Sequence, residues 1–365
     1  MGSKTRNYGI DLLRVFSIFL VAILHVLGHG GVLASTPSRA YFSAAWALEI
    51  LAYPAVNCFV LISGFVGYRG EKYVPKLRNI ISIFFTVLFY SAGIGVLLRV
   101  IDPSLITLTQ VKDSFLPLIK EQYWFYSSYF GVFLLSPIIN FFVYKASPKQ
   151  LYLATLTVFL FGFVTLESNA FILNNGYSVV WFALVYMLGA IMKKHDVVSK
   201  LSGLACTLTF LVAFLCTAIP KVIFTFSKSV FLYEHAGYFI SYTSPTVLLM
   251  AVALVSIFSK GRFNRFSSAV ISFFSTSAFS VYLIHDNRHI RALFMTDSFK
   301  FANNYNPLIL ILIVLGSAAA ILILCTLIDK IRILLFRLLK IDSLSELIER
   351  LIKWAVNKSY RFICR

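Results

Sequence analysis

The stretch Tyr8-Gly-Ile-Asp-Leu-Leu-Arg-Val-Phe-Ser-Ile-Phe-Leu-Val-Ala-Ile-Leu-His25 decides the fold class. A helix needs about 20 mostly apolar residues to cross a bilayer, and this stretch with its apolar continuation supplies them. It also carries Asp11, Arg14 and His25. Ionisable groups are costly in lipid and usually face a bundle interior or water. One helix provides no such interior, so further spans are required. At about 100° per residue, Arg14 and His25 sit roughly 20° apart after three turns, separated by a rise of ~16 Å. They share one face at two depths, and Asp11 is placed to pair with Arg14 on that face. The stretch is not a cleavable signal peptide, because it is long, charged and lacks a clear small-residue cleavage site.

Composition extends the same conclusion to the 365-residue chain, which is 59% hydrophobic and 13% charged. Soluble globular chains are closer to half apolar and a quarter charged. Length alone suggests about two soluble domains, and hydropathy overrules it. Apolar runs at 8–28, 44–67, 79–101, 124–144, 150–171, 177–193, 203–224, 236–258, 271–291 and 306–329 predict an all-α polytopic bundle of about ten transmembrane helices. The Asn-Asn-Gly turn at 174–176 is the one strong break between the fifth and sixth runs. Residues 1–329 form the transmembrane domain in this reading. Residues 330–365, where Lys and Arg alternate with Leu, Ile, Phe and Trp354, form a basic amphipathic helix lying on membrane lipids. Segment 103–123, with Lys112, Asp113, Lys120 and Glu121, is an external excursion over the outer mouth.

The net charge of +18 raises the question of nucleic acid. The basic residues instead sit in short clusters between apolar runs, which is how membrane proteins orient. With the N-terminus inside, inside segments hold 23 Lys and Arg and outside segments nine. Both termini are therefore expected in the cytoplasm. None of the five cysteines forms a CxxC pair, so neither a disulfide framework nor a zinc site follows.

Several residues carry candidate chemistry. His25 lies deep in a span, stacked above Arg14. His29, four residues on in a Gly-rich exit, is read as a mouth histidine; with His25 it would offer a metal only two ligands, so no metal is expected. His285 ends Ser280-Val-Tyr-Leu-Ile-His285 in the outer half of the ninth run, either facing His25 across one chamber or standing at the interface beside Asp286. After Ser63-Gly64, the cluster Arg69, Lys72, Lys76 and Arg78 serves as an inside anchor, or as a clamp for a phosphorylated cytosolic ligand. Gln122 to Pro137 reads mostly as an aromatic belt, with sugar stacking as the lesser alternative. Glu49 and Glu167 are acidic residues with no assigned role. No nucleophile elbow, P-loop or HExxH motif is present.

From about residue 8 to 325 the chain resembles the acyltransferase-3 family of bacterial membrane O-acyltransferases. The resemblance rests on Asp11-Leu-Leu-Arg14 with His25 eleven residues after Arg14, Ser63-Gly64-Phe65, Trp124-Phe125 through Ser136-Pro137, and Tyr282-Leu-Ile-His285. The family's Arg-x-x-Arg motif has two competing counterparts here, Arg69 to Lys72 and Lys76 to Arg78. The resemblance implies a multi-pass protein of the bacterial inner membrane that takes an acyl group from cytosolic acyl-CoA, acetyl-CoA in the usual case. It implies phosphate contacts at Arg69, Lys72, Lys76 and Arg78, a donor arm passing Arg14, and His25 as general base. Asp11 and His285 are further candidate catalytic residues, and the acceptor that the resemblance implies is a hydroxyl of a surface polysaccharide or lipid-linked glycan. A transporter or flippase for an anionic or glycan substrate is the competing class, because intramembrane charge suits it equally.

Overall fold

The computed structural model describes residues 6–72 and 77–363; Lys76 and the side chain of Lys72 lie outside that description. Among the described residues the chain is helical, with no strand. The main helices are α1 (Tyr8–Leu27), α2 (Arg39–Ala52), α3 (Ala55–Gly67), α4 (Leu77–Ile101), α5 (Trp124–Lys145), α6 (Pro148–Val164) and α7 (Val179–Lys194). They continue with α8 (Gly203–Thr225), α9 (Pro245–Phe258), α10 (Arg265–Ser275), α11 (Ala278–His285), α12 (Pro307–Leu338) and α13 (Ile341–Ile363).

Among the described residues seven helical stretches are long and apolar enough to cross a membrane, and an eighth counts if Ala170–Gly176 and α7, bent by 77°, form one span. The expected runs at 150–171 and 236–258 are shorter helices, α6 with 17 residues and α9 with 14. In the first, the chain leaves the helix at Thr165, and Phe171 to Asn175 include several positive φ angles. In the second, Ser241 pairs with Thr243 and Ser244 with Thr246 around Pro245, the first residue of α9. Hydroxyls that satisfy each other and the local backbone offer an alternative to the helix.

Two of these seven stretches are interrupted. Arg39–Gly67 is one such stretch, interrupted at Tyr53 and Pro54, where proline supplies no backbone N–H. Arg265–His285 is interrupted at Thr276 and Ser277. Lys330 ties that second break down, donating to the Phe273 carbonyl and to the hydroxyls of Thr276 and Ser277.

α1 runs through the middle of the bundle, against α2, α3, α9, α10, α11 and α12. Two-thirds of its apolar window is buried, 67%, against 17% for α8, which fits a central helix with α8 on the lipid-facing rim. Asn7 starts α1 by accepting the Ile10 N–H, the usual task of an N-cap side chain. α3 and α7 approach closely. A Cβ on Gly64 would strike the Tyr186 carbonyl, and one on Gly189 the Leu61 carbonyl. Small residues allow such approach. Gly64→Val should therefore destabilise the bundle by about 1–3 kcal/mol through overpacking. A lower thermal midpoint in detergent checks this, and an unchanged midpoint refutes it.

α12 continues past residue 329 to Leu338. Asp329 is fully buried, accepts from Tyr90 Oη at 2.7 Å and pairs with Arg332. These charges satisfy one another inside the bundle. The amphipathic tail starts after Lys340 as α13, with Leu347, Leu351 and Trp354 exposed on its apolar side. The excursion between α4 and α5 holds a short capped helix, Leu108–Ser114. There Lys120 pairs with Asp113 at 3.0 Å.

Candidate functional site

A cavity of about 540 Å³ lies within the bundle. Arg14 of α1, Ser63 of α3 and Thr276 of the α10–α11 break line it toward the N-terminal end of α1. His25, His29, Asp286 and Arg291 line it toward the other end. Arg14 and His25 thus share one cavity, as helical spacing required. Asp11 is buried and pairs with Arg14, as expected, and with Arg6 at 2.5 Å.

The far end is assembled from α1, α11 and the loop after α11. His25 Nδ1 and His285 Nε2 are 2.9 Å apart, with ring centroids 5.0 Å apart. Of the two arrangements open to His285, the structure has the one that faces His25, with His285 only 3% exposed. The other nitrogen of His285, Nδ1, faces the Val281 carbonyl. A carbonyl only accepts, so Nδ1 carries the proton and donates. In a neutral ring Nε2 of His285 then bears the lone pair and accepts from His25 Nδ1–H. That leaves His25 Nε2 with a free lone pair. The backbone of α11 therefore sets the tautomer of a histidine on α1, through one intervening ring.

Asp286 gathers the charges around this pair. Its Oδ1 lies 3.1 Å from the Arg291 guanidinium, 3.8 Å from His25 Nδ1 and 3.9 Å from His29 Nε2. His29 is held by its own backbone, because its carbonyl accepts from Asp297 N–H and that of Gly30 from Phe299 N–H. Burial first, then Arg291, hold the His29 imidazole below its ordinary range, while Asp286 acts in the opposite direction. The loop after α11 is pinned from across the bundle. Tyr123 Oη donates to the Leu283 carbonyl at 2.9 Å and accepts from Asn287 Nδ2 at 2.9 Å. His25, His29 and Asp286 each offer a ligand atom, all within 4.8 Å of one another. The same carboxylate oxygen carries Arg291, whose charge opposes a metal cation there.

Along the sequence Asp286 is only the neighbour of His285, Tyr123 is part of an aromatic belt, and Arg291 is one of the nine basic residues of the outside segments. The available signal was an acid and a cation five residues apart beside an intramembrane histidine. Of the basic cluster, Arg78 pairs with Glu346 and, at 3.8 Å, with Asp342 of α13. Arg69 is exposed. Glu167 is exposed and lies 3.8 Å from His235.

A family model described as an acyltransferase domain, of the acyltransferase-3 type, matches residues 7–330. No curated protein and no solved structure matches the chain.

Proposed function

The chain belongs to the acyltransferase-3 family, and from that premise we propose that it moves an acyl group from cytosolic acyl-CoA to a hydroxyl of an extracytoplasmic glycan. Acetyl-CoA is the donor in this reading, and the acceptor is a surface polysaccharide or its lipid-linked precursor. The observation that carries it is the hydrogen-bonded chain from the Val281 carbonyl through His285 to His25, set in the wall of a cavity that also reaches Arg14.

The chemistry follows from that chain. His25 Nε2 takes the proton of the acceptor hydroxyl as its oxygen attacks the thioester carbonyl. The C–O bond forms, the C–S bond breaks, and the thiolate leaves with the proton that His25 releases. The products are the O-acyl ester and free CoA, with no redox cofactor. His285 accepts from the Nδ1–H of His25 throughout, and Asp286 lies close enough to stabilise the transient imidazolium. Arg14 guides the donor arm from the other end. CoA phosphates would bind Arg69, Lys72, Lys76 and Arg78, displacing Glu346 from Arg78; charge-assisted bonds to phosphate suit that exchange. Both termini are cytoplasmic in this arrangement, and the membrane is the bacterial inner membrane.

Purified full-length chain in proteoliposomes should release CoA thiol from acetyl-CoA well above the rate of protein-free vesicles, read with a thiol reagent. Succinyl-CoA run in parallel distinguishes the acyl group. If neither donor binds nor releases thiol, the proposal fails.

A further inference from the structure

Glu49 is the carboxylate of the cavity that the acyl-transfer chemistry leaves unused. It sits on α2, is 9% exposed, and lines the cavity. Its Oε2 has no hydrogen-bond partner. Among the described residues no cation stands within ion-pair distance of it. A buried carboxyl left without donors costs free energy, and such groups in a folded protein call for a reason. Around it the cavity wall is aromatic: Tyr53, Trp124, Tyr177 and Tyr242. Glu49 interacts electrostatically with the three tyrosines, and Tyr177 feels Asp286 as well. Tyr177 is therefore within electrostatic reach of both Glu49 and Asp286, in the wall of the same cavity.

The geometry points to a binding subsite for a hydroxyl-bearing ring, the acceptor sugar, with Glu49 taking a hydrogen bond from a hydroxyl next to the one that reacts. The inference rests on the acyl-transfer reading for the identity of that ring. Ligand pockets combine an apolar lining with a few placed polar groups, and here one carboxyl and three phenols interrupt an aromatic wall. An organic cation is the obvious rival for an acid among aromatics. Against it, the rings are packed on one another. Centroids are 4.4 Å apart for Trp124 and Tyr177, 5.2 Å for Tyr177 and Tyr242, and 5.1 Å for Tyr53 and Tyr242. Faces spent on each other do not enclose a cation, whereas the hydroxyls and the carboxyl suit a ligand rich in hydroxyls.

The test uses the full chain in nanodiscs without acyl-CoA. Saturation-transfer NMR is recorded with methyl glycosides of glucose, galactose and N-acetylglucosamine, and with choline as the cation probe. At least one glycoside should bind, choline should not compete with it, and Glu49→Ala should weaken its Kd about tenfold. Tyr177→Phe, which removes one hydroxyl and keeps the ring, should weaken it about threefold and serves if Glu49→Ala does not fold. The subsite is overturned if no glycoside binds, if choline displaces the glycoside, or if both variants bind as tightly as the wild type. Thiol release from acetyl-CoA is measured separately. Its persistence with no glycoside binding condemns the subsite alone, and its absence with glycoside binding intact condemns the acyl-transfer reading.

Discussion

His25→Ala should lower kcat for acyl transfer by about a hundred- to ten-thousandfold, the range that a positioned general base contributes. The expectation comes from the arrangement of its two nitrogens. Nδ1 is committed to His285 at 2.9 Å, and Nε2 is the nitrogen left to take a proton. Alanine removes the base and leaves the rest of the cavity wall in place. His25→Gln retains much of the volume and a polar tip but has no basic nitrogen, so it should fail equally. Acyl-CoA affinity should change little in either variant, because the proposed phosphate contacts at Arg69 and Arg78 are made by residues remote in sequence from His25 and outside the cavity lining that holds it. The measurement is product formation on the acceptor glycan under saturating acetyl-CoA. A variant that keeps more than a third of wild-type kcat would falsify the assignment of His25 as the base.

Much of this site was legible in the sequence for a simple reason. Helical periodicity converts residue spacing into shared faces, so Arg14 and His25 had to be on one side of α1, and the high cost of charge in lipid pointed that side inward. The pairing of Asp11 with Arg14 followed from the same arithmetic. What spacing along one helix cannot supply is contact between helices. His25 and His285 are 260 positions apart, so nothing local distinguished a shared chamber from an interfacial histidine. Tyr123 was hidden for a related reason: its bonds to Leu283 and Asn287 run across the bundle, while its sequence neighbours look like an aromatic belt. Hydropathy also overstated regularity. It registers apolar content but not breaks, so it joined α10 to α11 and assigned residues 236–244 to a helix. Asp329, Lys330 and Arg332 look like loop charges when read singly, whereas the fold gives Asp329 the Tyr90 hydroxyl and Arg332, and gives Lys330 the Ser277 hydroxyl.

His285→Ala should reduce kcat nearly as far as His25→Ala, by about a hundredfold or more, although His285 touches neither substrate in this reading. It is a positioning residue. Its neutral ring donates from Nδ1 to the Val281 carbonyl and accepts at Nε2, which holds the proton of His25 on Nδ1. Without that acceptor, His25 is free to take the opposite tautomer, with its proton on the nitrogen that must act as base. Loss of the correct tautomer alone is known to cost orders of magnitude in a catalytic histidine. Three readouts separate this role from simple packing. His285→Gln should recover part of the rate, because an amide oxygen can accept from His25 Nδ1–H, whereas His285→Leu of similar bulk should not. The double variant His25→Ala/His285→Ala should be no slower than His25→Ala, because groups acting as one unit are strongly non-additive. Nitrogen NMR of labelled histidine should show His25 protonated at Nδ1 in the wild type and a mixture in His285→Ala. Equal rates for the Gln and Leu variants, or a double variant slower than both single ones by the product of their effects, would reduce His285 to a packing residue and leave His25 without the partner that makes it a base.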